Sequence, residues 1–387
     1  MAHYDAEDIV ELKNRKKRRK RLFRLLTVFL VMLIIYGFYY YRDLWLPKLK
    51  GIGKQYKTIV NDGELAEGNF PIEINGGADY QLRYGDDTLY LLSDAYTYYY
   101  NLDGAKIKKR QHAYTNPVLD VSGENAIIFE SGGNEFTVEN SDEILYSKQT
   151  ENTIIFARVS GKGMAAVATT SDNYACELTV YDKSGSVIYE RSCVDRISDI
   201  SFVNESKGCI LSFLGADNGA LATNIIEISF NSKDSLWESP PVDTLGLDTF
   251  VCGKGAVIIG YTACAYISGN GQISSYYKYD GDFAGGDSQG GKTAVIINDD
   301  DRRKYSLALF SGAENPLIID FDSPLKYVEI YDGLAYVMSQ SEIRAYDFSG
   351  GLRSTAAISD SYSEFRRSGD YIFLMSYNHI DRIDFNS

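Results

Sequence analysis

From about Glu64 onward, short apolar runs rich in β-branched and aromatic residues alternate with polar turns, and no stretch sustains a helical period. Eight runs stand out as strands: TLYLLSD, NAIIFES, MAAVATT, CILSFLG, AVIIGYT, TAVIIND, LAYVMSQ and YIFLMSY. A tight turn precedes each. The first four are Gly85-Asp86-Asp87, Gly123-Glu124-Asn125, Gly161-Lys162-Gly163 and Ser206-Lys207-Gly208. The others are Gly253-Lys254-Gly255, Gly290-Gly291-Lys292, Tyr331-Asp332-Gly333 and Ser368-Gly369-Asp370. Their spacing is roughly 37–47 residues, the period of a four-stranded repeat.

A second series of strands keeps the same phase, each closed by a turn rich in Asn, Asp, Ser or Gly, as in LTVYDKSG (178–185) and IRAYDFSGG (343–351). The unit is therefore strand A, turn, B, loop, C, turn, D, and its radial repetition is a β-propeller. The last unit has A near Ser363–Arg367, B at Tyr371–Tyr377 and C at Ile380–Phe385, and then the chain stops. A missing fourth strand would leave an open edge. The spare segment Asn69–Asn75 (NFPIEIN) can supply it, closing the ring with both ends of the domain in one sheet. The expectation is an all-β fold of eight blades, or seven if the weak unit at 115–148 is not a blade.

The N-terminus reads differently. Leu22–Tyr41 is apolar except for Arg24, long enough as a helix to span a hydrocarbon core of roughly 30 Å. Its far end carries Tyr36, Phe38, Tyr39, Tyr40, Tyr41 and Trp45, the aromatic composition of an interface. The run exceeds a signal-peptide core and lacks small residues at a cleavage site, so it reads as an uncleaved signal anchor. The basic run before it places the N-terminus in the cytoplasm and the rest outside the cell membrane. That run reads as a topology determinant; the sharper alternatives are an anionic-lipid or nucleic-acid patch. The expected organisation is a basic cytoplasmic tail (1–21), a single transmembrane segment (22–41), a stalk (42–63) and the propeller (64–387).

Charge sharpens this division. Nine of the 39 basic and four of the 53 acidic residues lie within the first 24 positions, leaving 30 basic against 49 acidic beyond them. A body that acidic is a poor partner for nucleic acid, because phosphate neutralisation needs clustered Lys and Arg.

On these repeats the chain resembles the β-propeller superfamily, in the general look of envelope propellers with PQQ-like or WD40-like repeats. More narrowly it resembles bacterial single-pass proteins of a domain of unknown function, with a basic tail, one membrane helix and a propeller ectodomain. It lacks the Trp-Asp and Gly-His pairs of WD40 repeats, and has only Trp45 and Trp237 where quinoproteins dock their blades with tryptophan. The resemblance implies a fold and no cofactor.

Several motifs look chemical. Gly286–Thr293 matches G-x-x-x-x-G-K-[ST], and Gly286–Gly290 matches G-x-S-x-G. Both require a strand leading into a helix, whereas here a β run follows. Asn298-Asp299-Asp300-Asp301 reads as a solvated hairpin tip beside Arg302, Arg303 and Lys304, and His379 as a satisfied turn residue. No cluster has zinc-ligand spacing. Cys176 and Cys193 flank the Asp182–Gly185 hairpin, and either a cross-strand disulfide or buried free thiols fits; the odd total of five Cys points to a fold independent of oxidation. The 31 Tyr alternate within strands (Tyr96, Tyr98, Tyr100), which suits blade packing, while Tyr on an exposed rim would offer contact area.

No nucleophile, base and orienting group come together in the sequence, so no catalytic or metal residue is assigned. The expected function is a non-enzymatic recognition or scaffold module for a protein partner or cell-wall glycan. Its candidate binding face is the B–C loops: Asp94, Asn134, Asp172, Asp217, Asp299, Asp300, Asp301 and His379. The alternative is a propeller glycosidase or lyase with central carboxylates contributed by distant blades.

Overall fold

The computed structural model describes residues 68–75, 79–203 and 206–385, together with Met32 and the backbone of 59–61. The basic tail, nearly all of the anchor at 22–41 and most of the stalk lie outside the described residues. Among the described residues no helix is long and apolar enough to cross a membrane.

Eight antiparallel sheets form the domain, one for each expected unit, including the weak one at 115–148. The A strands are Gln81–Gly85, Pro117–Ser122, Ile154–Val159, Arg196–Val203, Gly246–Cys252, Asp282–Gln289, Tyr327–Tyr331 and Tyr362–Ser368, in blades 1 to 8. Neighbouring A strands pack together around an axis. The turn after each carries a residue with positive φ, among them Asp87, Gly123, Ser206 and Asp332, which explains their Gly, Asn, Asp and Ser content. A side chain at Gly85 would meet the Gly123 carbonyl of the next blade at 2.2 Å, so the blades converge here on bare backbone.

Ring closure follows the expectation. Ile72 pairs with Ile380 and Glu73 with His379, antiparallel, and the Ile74 amide donates to the Asn378 carbonyl at 2.9 Å. The Arg382 guanidinium then ties blade 8 to blade 1 through the Leu102 carbonyl (2.7 Å) and Asp103 (3.1 Å). One feature was not foreseen. Residues 59–61, read as stalk, add a parallel strand to the outer edge of blade 7, with Ile59 opposite Ser354.

The core lies between blades. Each B strand is buried on both faces, as in TLYLL and AAVAT, and hands alternate residues to its two neighbours. Thus Ala126 and Ile128 pack on Tyr90, Leu92 and Tyr99 of blade 1, whereas Ile127 and Phe129 pack on Ile154, Val159 and Val167 of blade 3. Such a cluster fills every junction, including that of blades 8 and 1, where Ile72 meets Leu82, Phe373 and Ile380. Ile72→Ala should therefore cost about 2–5 kcal/mol in urea unfolding, as for a fully packed core residue. A loss below about 1 kcal/mol would mean that the closing strand contributes little.

Candidate functional site

The hairpin topology brings the candidate B–C residues to one end of the ring, but they differ in what they can offer. Asp94, Asp172, Asp217, Asp300 and Asp301 are exposed. Asn134 is engaged locally: its side chain donates to the Thr150 carbonyl (3.3 Å), and its own carbonyl accepts the Thr150 amide (2.7 Å). Asp299 accepts the Arg302 amide at 2.9 Å, while Arg302 and Lys304 both reach Asp280. That tip neutralises itself, as a solvated hairpin should. His379 lies between Asn378 and the buried Asp381, which also accepts from the Tyr362 hydroxyl, so it is a satisfied turn residue.

The same end carries apolar contact area that the charge pattern did not single out. Tyr174 (49% exposed), Leu221 (62%), Tyr261 (54%) and Tyr377 (72%) stand in or beside the B–C loops of blades 3, 4, 5 and 8. Blade 4 presents Leu221 near the tip of a hairpin whose strands, Gly208–Asp217 and Ala220–Ser229, outreach those of other blades. Their signal was an aromatic or aliphatic side chain at a loop position where a polar residue is the default.

The chemical-looking motifs resolve as structure. Gly286–Thr293 runs through the A strand of blade 6, its turn and the start of B, with no helix. Lys292 donates to the Gly333 carbonyl at 3.0 Å and lies over Phe348, while the Ser288 hydroxyl bonds the Lys292 carbonyl. Cys176 and Cys193 are direct cross-strand partners, as the spacing allowed, yet both are free thiols and no bond joins them. The Cys176 sulfur accepts the Ile197 amide at 3.3 Å, and the adjoining Cys193 thiol favours the Cys176 thiolate, lowering its pKa.

Charge concentrates at the axis instead. Two neighbouring cavities of about 920 and 750 Å³ are lined by all eight A strands and share Arg83, Val121, Asp248, Phe250, Ser288 and Gln289. The wall carries Arg83, Arg158 and Arg366 with Asp120, Asp199, Asp248, Asp287 and Glu329. Four of these acids share one task. Each accepts a backbone amide from the next blade's A strand: Asp120 from Val159 (2.8 Å), Asp199 from Thr249 (2.7 Å), Asp287 from Ile330 (2.6 Å) and Glu329 from Arg367 (3.1 Å). Gln81 does likewise for Leu119 at 3.0 Å. Arg158 pairs with Asp199 at 2.8 Å, and Arg366 with Glu364 at 3.0 Å and with the Tyr327 hydroxyl. Desolvation is the largest cause raising the pKa of Asp120, Asp248 and Asp287, and it pushes Glu329 up to about 8.

These sheets define a β-propeller. The chain belongs to DUF5711, a family of unknown function, whose match spans residues 66–385. No curated protein matches it. Solved structures with a similar fold include the C-terminal WD40 domain of Sif2 (TM-score 0.63, 11% identity, covering 86% of this chain and 100% of that one). BamB from Moraxella catarrhalis (0.56, 11%, 83% and 100%) and the designed protein Ika8 (0.62, 9%, 81% and 98%) are further examples.

Two outcomes test the axial hydrogen bonds. Asp287→Ala strands the Ile330 amide and should cost about 1–3 kcal/mol in urea unfolding. Glu329 holds its proton more tightly folded than unfolded, so its contribution favours the fold at acid pH. That contribution is lost as pH rises from the ordinary carboxylate range through about 8. Glu329→Gln keeps the acceptor for the Arg367 amide and removes the titration. Melting temperatures between pH 5 and 9 should therefore fall less steeply in the variant; parallel curves would contradict this assignment.

Proposed function

We propose that this chain is a membrane-tethered, extracytoplasmic propeller that holds a protein partner against its B–C face, without catalysis. The observation that carries the reading is the set of exposed Tyr174, Leu221, Tyr261 and Tyr377 among the acids Asp94, Asp172 and Asp217 at one end of the ring. Amphipathic aromatics supply contact area at low entropic cost, and surrounding carboxylates suit a partner with a basic rim. The tether rests on the apolar run Leu22–Tyr41 and its basic flank.

A second reading, a glycosidase or lyase working through central carboxylates, draws on the raised pKa values at the axis. Such chemistry commonly uses two carboxyl groups with distinct roles. Four of the five axial acids are engaged with backbone amides, which makes a structural role the better account of them.

Photo-cross-linkers placed at Tyr261 and Tyr377 of the membrane-associated full chain should trap one defined partner, and a cross-linker at Glu124, in an A–B turn at the other end, should not. Combined Tyr174→Ala, Tyr261→Ala and Tyr377→Ala should abolish the adduct without lowering the melting temperature. Adducts of equal yield at Glu124, or adducts only with polysaccharide, would contradict the proposal. A protease added to intact cells should digest the propeller; full protection would refute the extracytoplasmic placement.

A further inference from the structure

Among the charged residues of the axial channel, two stand apart from the seams between blades. Arg83 has no ion pair among the described residues, and its one hydrogen bond runs from Nη1 to the neighbouring Leu82 carbonyl on its own strand (2.9 Å). Asp248 has neither an ion pair nor a hydrogen bond among the described residues, although Arg158 and Arg83 attract it at longer range, whereas the other four axial acids each hold an amide. Both side chains are half-buried, and both line both cavities. A half-buried charge without a direct partner gives up hydration that no hydrogen bond replaces. A protein that keeps one of each sign in a single channel has a use for them.

Their positions specify that use. Arg83 belongs to blade 1 and Asp248 to blade 5, so in a ring of eight they stand on opposite walls. Arg366 of blade 8 flanks Arg83 and lowers its pKa further. Asp199 of blade 4 and Asp287 of blade 6 flank Asp248 and raise its pKa. Glu364 and Asp120 also act on Arg83, and Arg158 acts on Asp248, so the two residues rather than whole walls differ in sign, and half-buried Phe250 and Phe283 line the channel on blades 5 and 6. A ligand with one negative and one positive end would compensate both charges at once, and a ligand with a single charge would relieve only one of them. The cavity volumes fall within the range of small-molecule sites.

We propose that the axial channel binds a small zwitterion with an apolar body, an amino acid or short peptide, its carboxylate held by Arg83 and its ammonium by Asp248. The guanidinium presents a planar fork that a carboxylate meets with two parallel hydrogen bonds. The ammonium relieves repulsion among Asp199, Asp248 and Asp287, and the apolar body packs on Phe250 and Phe283. This site lies away from the exposed side chains of the B–C face and does not depend on the partner proposed for it.

The test is isothermal titration of the purified full chain with a panel of free amino acids, dipeptides and tripeptides. The tightest binder is then compared with its N-acetylated and C-amidated forms. Dissociation constants below 1 mM are expected for at least one member, with blocking of either end weakening it tenfold or more. Arg83→Gln should no longer distinguish the free carboxylate from the amide, and Asp248→Asn should no longer distinguish the free amine from its acetylated form. Neither residue holds a blade seam, so both variants should melt near the parent temperature; should one fail to fold, the end-blocked ligands on the parent chain decide alone. The proposal is overturned if no member of the panel binds, if blocking either end leaves affinity unchanged, or if folded variants bind as the parent does.

Discussion

The innermost strand of every blade is the edge of a sheet, and half of its amide groups point away from its own ladder toward the axis. No further strand can reach them there. An unpaired backbone amide in so confined a place carries the full cost of desolvation. In this chain the preceding blade supplies the missing acceptor: Gln81, Asp120, Asp199, Asp287 and Glu329 each take an amide from the strand that follows. One side chain thereby satisfies an edge and ties two blades together. The hydrophobic clusters between B strands provide the bulk of the packing, and the axial carboxylates fix how the inner edges meet.

That arrangement also governs what the channel can do. A buried ring of acids invites a catalytic interpretation, since perturbed carboxylates often mark active sites. Here the perturbation has a structural origin for most of them: they are buried because the amides they serve are buried. Arg158 and Arg366 are likewise absorbed by Asp199, Glu364 and Tyr327. Removing these groups from consideration leaves Arg83 and Asp248, of opposite sign and without a direct partner among the described residues, on blades 1 and 5. The outer surface divides the labour differently, with self-neutralised hairpins such as Asp299–Lys304 beside exposed tyrosines.

Much of the fold was legible in the chain. All eight apolar runs became the doubly buried B strands, because only a strand packed on both faces lacks polar alternation. The truncated final unit together with NFPIEIN disclosed the closure at Ile72 and Ile380, since an open blade edge had to be covered. The axis was far less legible. A linear reading cannot bring Arg83 across from Asp248, because their relation depends on the count of blades between them. A signal was nonetheless present: single acids interrupt otherwise apolar A strands in VLDVS, ISDISF and YVEIY. The exposed Tyr261 and Tyr377 were hidden for another reason, since tyrosine alternation along strands such as Tyr96–Tyr100 made packing the general explanation. Residues 59–61 carried no strand signal beyond Ile-Val, and their pairing depends on an edge supplied by blade 7.

Hydrogen–deuterium exchange resolved by peptide tests the central claim most directly. If axial carboxylates hold the inner edges, the amides of Val159, Thr249, Ile330 and Arg367 exchange only with global unfolding, alongside those of the B strands. Exchange of these four amides as fast as that of exposed turn amides would show that the inner edges open independently, and the account of the axis would fail.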